Sequence, residues 1–339
     1  LLMNAEPLHD ALTRRNFLKR SAKAATAAAA ACLVGYRFYD PSGPTGNWVA
    51  DVDRRLPNFA IPDMAPRVAV ARGADRAGSF QQAIGALGGL ERFVRPGDRV
   101  LLKVNAAFAA PPLIGATSHP DLVAQVAKAC FDVGAAVVFV TDNPINDPAS
   151  CFELTGIAGA ARGVGAELIL PRDDLFTEVS VDGGRLIRQW PVLYAPVSRV
   201  DKLIGLATVK DHHRSGASLV MKNWYGLLGG RRNILHQDIH TTIMELAMMV
   251  QPTLVVLDGT VSMMTNGPTG GSLSDLKPTE TMIVGTDQVA VDTIGAELLD
   301  RTAESLPFIA MAEKAGAGSS ATELIDTRSS RENRVGVPG

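Results

Sequence analysis

The chain has 339 residues, 46% of them hydrophobic and 20% charged, with 32 glycines, 20 prolines and three cysteines. That composition excludes a disordered, collagen-like or disulfide-scaffold protein and leaves one large α/β domain or two units of about 150 residues. The formal charge is −2, but Arg14, Arg15, Lys19, Arg20 and Lys23 face only Glu6 and Asp10, so the remainder sets 28 basic against 33 acidic residues. A mildly acidic body has no electrostatic footprint for nucleic acid, and no nucleic-acid partner is expected.

In chain order, the first feature is Thr13-Arg14-Arg15-Asn16-Phe17-Leu18-Lys19, followed by an alanine-rich run over 24–34. It resembles a twin-arginine export signal, in which the paired arginines are the receptor-read element, and the apolar run after them is too short to span a ~30 Å hydrocarbon core comfortably as an ordinary transmembrane helix. An amphipathic surface helix is the alternative, and the absence of a charged face along the alanines argues against it. The resemblance implies the twin-arginine translocase as a partner and a periplasmic or exported location, with a membrane anchor if the signal stays uncleaved. It also implies carriage in the folded state, so that any cofactor enters before export. Residues 1–35 are read as this signal or anchor. Residues 36–66, with Pro41, Pro44, Pro57, Pro62 and Pro66, are read as an extended linker or a strap over the domain.

From Arg67 the pattern alternates strand and helix, which predicts an α/β domain over 67–330, with a tail over 331–339. The expected architecture is a mainly parallel sheet with helices on both faces, in Rossmann-like layers. Strands are expected at 68–71, 99–104, 137–141, 167–170, 203–209, 254–257 and 282–284, and a hairpin turning at Asp182-Gly183-Gly184. Helices are expected from a Ser79 cap to Phe93, from His119-Pro120-Asp121 to Val133, and over 151–162, 219–228, 239–250, 289–299 and 308–314. Lys103, Asn105, Asp142, Lys210, His212 and Asp258 all follow predicted strands. The carboxyl ends of strands in open α/β sheets are where ligands bind, so one shared site is expected, although Asp142 and Asp258 also fit simple turn formers.

The densest polar stretch runs Lys210-Asp211-His212-His213-Arg214-Ser215-Gly216, then Lys222-Asn223, Gly229-Gly230-Arg231-Arg232 and His236-Gln237-Asp238. His212 and His236 are candidate metal ligands or proton-transfer groups. Lys222, set among apolar residues, is a candidate base, cofactor anchor or anion clamp. A solvated basic face is the plain alternative. Lys103, Lys210 and Arg231 would bind an acidic ligand, with Asn105 and Asn223 beside them. Asn266-Gly267-Pro268-Thr269-Gly270-Gly271 would let backbone amides at Gly267 and Gly270 approach an anion, or is a flexible turn. Cys32, Cys130 and Cys151 cannot make a self-contained four-cysteine iron–sulfur cluster. Cys130 and Cys151 read as buried thiols or as a bridged pair.

Taken together, several ordered motifs resemble the domain-of-unknown-function 362 family over about 66–315. They are Leu102-Lys103-Val104-Asn105, Thr117-Ser118-His119-Pro120, Lys210-Asp211-His212, Lys222-Asn223 with Gly226, His236, Asp258-Gly259, Asn266-Gly267-Pro268 with Gly270, and Gly285-Thr286-Asp287 with Asp292. Some family members carry ferredoxin-type clusters, and this chain lacks the cysteines for one. A local stretch is also similar to the nickel-pincer lactate racemase type: His212, Ser215-Gly216, Lys222 ten residues on, then His236. In that type the lysine holds the cofactor and the later histidine ligates nickel; the upstream paired-histidine motif is not evident here. The expectation is an exported enzyme that uses a metal ion or another cofactor on a small anionic ligand. The alternative is a non-catalytic periplasmic binding, redox-accessory or cofactor-maturation protein, with a redox protein as partner.

Overall fold

The computed structural model describes residues 14–37 and 54–326. The first stretch is one helix, α1 (Arg14–Arg37), solvent-exposed along its length. No helix among the described residues is long and apolar enough to cross a membrane. The expected tail at 331–339 and most of the linker, 38–53, lie outside the described residues. Within residues 54–66, Phe59 is buried, its amide donates to Gln251 O, and its carbonyl accepts from Thr253 Oγ1.

In the body, β1 (Arg67–Arg72), α2 (Arg76–Ala86), β2 (Arg99–Lys103), α3 (Pro120–Asp132) and β3 (Val137–Thr141) come first. They are followed by α4 (Pro148–Leu154), α5 (Ile157–Gly163), β4 (Glu167–Ile169) and the hairpin β5 (Phe176–Val179) and β6 (Trp190–Leu193). Then come α6 (Tyr194–Val197), β7 (Lys202–His212), β8 (Gly216–Ser218), α7 (Val220–Asn223), α8 (Ile239–Met249) and β9 (Leu254–Met263). The last are β10 (Leu276–Gly285), α9 (Gln288–Glu297), α10 (Pro307–Lys314) and β11 (Glu323–Asp326). The main sheet runs β11-β1-β10-β9-β7-β2-β3-β4, with β8 paired to β7.

The expected α/β layers are present, and the sheet is mixed rather than parallel throughout. Strands β9, β7, β2, β3 and β4 run parallel to one another, as do β1 and β11, while β10 is antiparallel to both β1 and β9 and β8 is antiparallel to β7. The physical reason is the connection: helices carry the chain between β2, β3 and β4 and between β7 and β9, whereas β9 returns into β10 as a hairpin through the loop 264–275, with no α-helix to carry it across the sheet. Alternate residues of each strand enter opposite cores. Leu203, Ala207, Val255 and Leu257 pack with α7 to α10, whereas Ile204, Leu206, Leu254 and Val256 pack with α2, α3 and α5. Each such side chain, wholly withdrawn from water, contributes about 1.5–3 kcal/mol before entropy is counted.

Several local expectations are corrected. Asp75, not Ser79, caps α2, because its carboxylate accepts from the Ala77 and Gly78 amides while Ser79 lies inside the helix. The helix expected over 151–162 is two, broken at Gly156 in the left-handed region. The helix expected over 219–228 is a single turn, α7, tightening to 3-10 from Trp224. Strands β7, β9 and β10 outrun their predicted ends, and β8 and β11 were not anticipated. Cys130 and Cys151 are buried free thiols.

Candidate functional site at the carboxyl ends of β2, β3 and β7

Strand order reverses between β2 and β7, since the chain leaves β2 toward β3 and β4 but leaves β7 toward β9. The carboxyl ends there open into a cavity of about 840 Å³. It is lined by nine of the ten residues proposed from sequence: Lys103, Asn105, Lys210, His212, Lys222, Asn223, His236, Gly267 and Gly270. Arg231 is the exception, exposed and outside the lining; its neighbour Arg232 is buried and faces inward at the start of the 3-10 turn 232–238. Asp258 is also outside. β9 continues five residues beyond it, and its carboxylate meets Arg76 Nε at 2.8 Å and the Thr260 amide at 2.9 Å.

The floor is an ion pair. Lys103 Nζ lies 2.8 Å from Asp142 Oδ1, both groups almost wholly withdrawn from solvent, and it also donates to Val104 O at 2.6 Å and Asn223 Oδ1 at 3.1 Å. Asp142 Oδ2 accepts from the Ala106 amide at 2.7 Å, which fixes the loop after β2. Gly226 closes over this pair. A Cβ there would overlap Asp142 Oδ1 and stand 2.7 Å from Lys103 Nζ. Gly226→Ala is therefore expected to cost about 1–3 kcal/mol of stability by overpacking, read from denaturant midpoints; an unshifted midpoint would show that the pair can move aside.

Three further buried cations face the cavity without an ion-pair partner among the described residues. Lys210 Nζ donates to Ala116 O at 2.5 Å and lies 5.5 Å from the Phe108 ring centroid. Arg232 donates only to carbonyls, those of Leu228 at 3.0 Å, Pro144 at 2.8 Å and Tyr225 at 3.4 Å. Lys222, 9% exposed, has no hydrogen-bond acceptor among the described residues and rests 5.5 Å from the Tyr225 ring centroid. Burial, reinforced by neighbouring cations, pushes Lys210 down to about 7 and Lys222 down to about 8. The turn carrying Lys222 is held by Asp292, whose buried carboxylate accepts from the Val220 and Met221 amides at 2.8 and 3.1 Å.

Hydrogen bonds assign the two imidazoles opposite tautomers. His212 Nδ1 accepts from the Arg214 and Ser215 amides at 3.2 and 3.3 Å, so its Nε2 carries the proton. Tyr225 donates its hydroxyl to Arg232 O, so its oxygen can only accept, at 2.8 Å, from His236 Nδ1–H. His236 Nε2 is then a free acceptor. The rings stack nearly parallel, 6.1 Å apart. Burial, followed by the charge of Lys222, holds both well below the ordinary imidazole range, His236 at about 4, with the Asn233 backbone carbonyl, as an acceptor for the ring, working the other way. The metal expectation fits poorly. His212 Nδ1 is taken and its Nε2 protonated, and no group of three His, Cys, Asp or Glu residues among the described residues could hold a metal ion.

The glycine-rich loop forms one wall. Asp275 fastens it by accepting from Asn266 Nδ2 at 2.6 Å, Thr265 Oγ1 at 2.8 Å and the Ser272 amide at 3.1 Å, which also lowers its own pKa. Asn266 and Gly270 sit at positive φ, and a Cβ on Gly267 would overlap the Asp211 carbonyl. Sequence reasoning left Tyr225 and Arg232 out of the site. Two adjacent arginines after two glycines carry no sign of which one turns inward.

A family model described as "Domain of unknown function (DUF362)" matches residues 100–297, more than half of the chain. A thylakoid-associated protein of Synechocystis is 27% identical over 263 residues, covering 73% of this chain and 77% of its own. Among solved structures, the lactate racemase apoprotein from Thermoanaerobacterium thermosaccharolyticum aligns with 72% of this chain at 9% identity and a TM-score of 0.36. The chain spans 58% of that protein's length.

Proposed function

The chain belongs to the domain-of-unknown-function 362 family, and for this member of it we propose an enzyme that holds a small carboxylate- or phosphate-bearing ligand among Lys210, Lys222 and Arg232 and moves a proton on it with His212 and His236. The observation that carries this reading is the charge imbalance: three buried cations line one cavity, while its two buried carboxylates are engaged elsewhere, Asp142 by Lys103 and Asp275 by Thr265, Asn266 and Ser272 of the glycine-rich loop. Leaving a buried charge uncompensated costs several kcal/mol, so a site that keeps three is arranged for an anion supplied from solution. In this reading His236 Nε2, neutral at pH 7, serves as the proton acceptor, and His212 Nε2–H as a fixed hydrogen-bond donor to oxygen.

The test is calorimetric binding of sulfate, whose charge is constant over the range used. Ammonium forms of Lys210 and Lys222 predominate below about 7 and 8, so affinity should be highest near pH 6.5 and fall by about tenfold or more by pH 9. Unliganded stability should move the opposite way. These lysines bind fewer protons when folded than when unfolded, so stability rises with pH from about 7 toward the unfolded lysine value. Sulfate binding that is absent, or that strengthens with pH, would remove the lysines from the ligand.

An exported location is proposed from Arg14-Arg15 and the alanine-rich run. Replacing both arginines with Lys keeps the charge, so the protein should stay folded and accumulate in the cytoplasm, read by fractionation. Undiminished delivery would refute the signal.

A further inference from the structure

We infer that Lys222 is a nucleophilic amine that forms an imine with the aldehyde or ketone carbon of an anionic ligand held in this cleft, a step that rests on the anion-binding reading above. The cavity-lining cations differ in one respect. Lys103 is committed to Asp142, Val104 O and Asn223 Oδ1, Lys210 to Ala116 O, and Arg232 to three carbonyls. Each of those groups spends N–H bonds on protein oxygens, which fixes its nitrogen in place, whereas no such bond holds the Lys222 amine. Lys222 Nζ meets only the face of the Tyr225 ring among the described residues, and it opens into the cavity. Its charged neighbours, Arg232 and Lys103, are both cations and favour the neutral amine.

The surroundings also supply the proton traffic. The amine lone pair attacks the carbonyl carbon, forming a C–N bond while the π pair moves to oxygen, and the nitrogen proton passes to that oxygen to give a carbinolamine. Loss of water then breaks the C–O bond and leaves C=N, with no oxidant or reductant consumed. His236 Nε2 can take the proton from nitrogen and return it to the departing oxygen, which His212 Nε2–H steadies by a hydrogen bond without giving up its proton; Lys222 is the foremost charged influence on both rings. Lys210 and Arg232 remain to hold the ligand's carboxylate or phosphate.

Glyoxylate, which joins an aldehyde to a carboxylate, is the probe, trapped on the full chain with cyanoborohydride and mapped by peptide mass spectrometry. Propanal is the uncharged comparison. Glyoxylate should label Lys222 at least about tenfold more readily than exposed Lys128 or Lys277, sulfate should suppress that label alone, and propanal should show no such preference. Equal or lesser labelling of Lys222 by glyoxylate overturns the inference, as does equal preference with propanal. If sulfate binds but Lys222 is not selected, only the nucleophile is lost; if sulfate does not bind, the anion reading itself fails.

Discussion

Lys222→Met is expected to leave the thermal midpoint unchanged or higher while sulfate affinity falls by about tenfold or more. Methionine keeps the unbranched stem against Tyr225 and removes an ammonium that has no ionic partner among the described residues. Taking such a charge out of a buried position relieves a desolvation cost, so stability does not suffer. The ligand, in contrast, loses a cation that only it was to neutralise. A tenfold loss corresponds to about 1.4 kcal/mol, modest for a charge-assisted contact in a partly dry cavity. Stability gained where function is lost is the usual exchange at a binding site. A destabilised variant that binds sulfate as well as the parent would make Lys222 a structural residue instead.

Asp142→Asn should behave in the reverse manner and lose about 3–5 kcal/mol, because Lys103 would stay buried without its counter-charge. The carboxylate also holds the Ala106 and Asn143 amides, so the loops after β2 and β3 would loosen with it. Chemical denaturation measures the loss directly. Adding Lys103→Met to Asp142→Asn should recover part of it, since the orphaned ammonium is then gone. If the single variant loses less than about 1 kcal/mol, the pair contributes little and Lys103 belongs with the free cations of the cleft.

The contrast between these two lysines was not legible in the chain. Lys103 and Lys222 both read as cations beside apolar residues, and only the parallel pairing of β2 with β3 gives Lys103 its Asp142, while α7, packed against β7, leaves Lys222 unpaired. Arg231 and Arg232 make the same point. Gly230 at φ 58° turns the chain so that the second arginine enters the cavity, and local sequence cannot show which of two neighbours a turn will face inward.

The sequence by itself determined the alternation of strand and helix, the helix boundaries at His119 and Gly134, the family, and the gathering of Lys103, Asn105, Lys210, His212 and Lys222 near strand ends. Those features rest on periodicity, capping chemistry and ordered motifs, which act over a few residues. Tertiary structure alone decided the antiparallel β10, the tautomer of His236 and the imbalance of charge in the cleft. Lys103 and Asp142 meet across β2 and β3, and Tyr225 reaches the imidazole of His236 across a 3-10 turn, whereas the His212 tautomer is set locally by the Arg214 and Ser215 amides. Charge compensation and proton placement are set by distance in space, and that distance exists only after the sheet has closed.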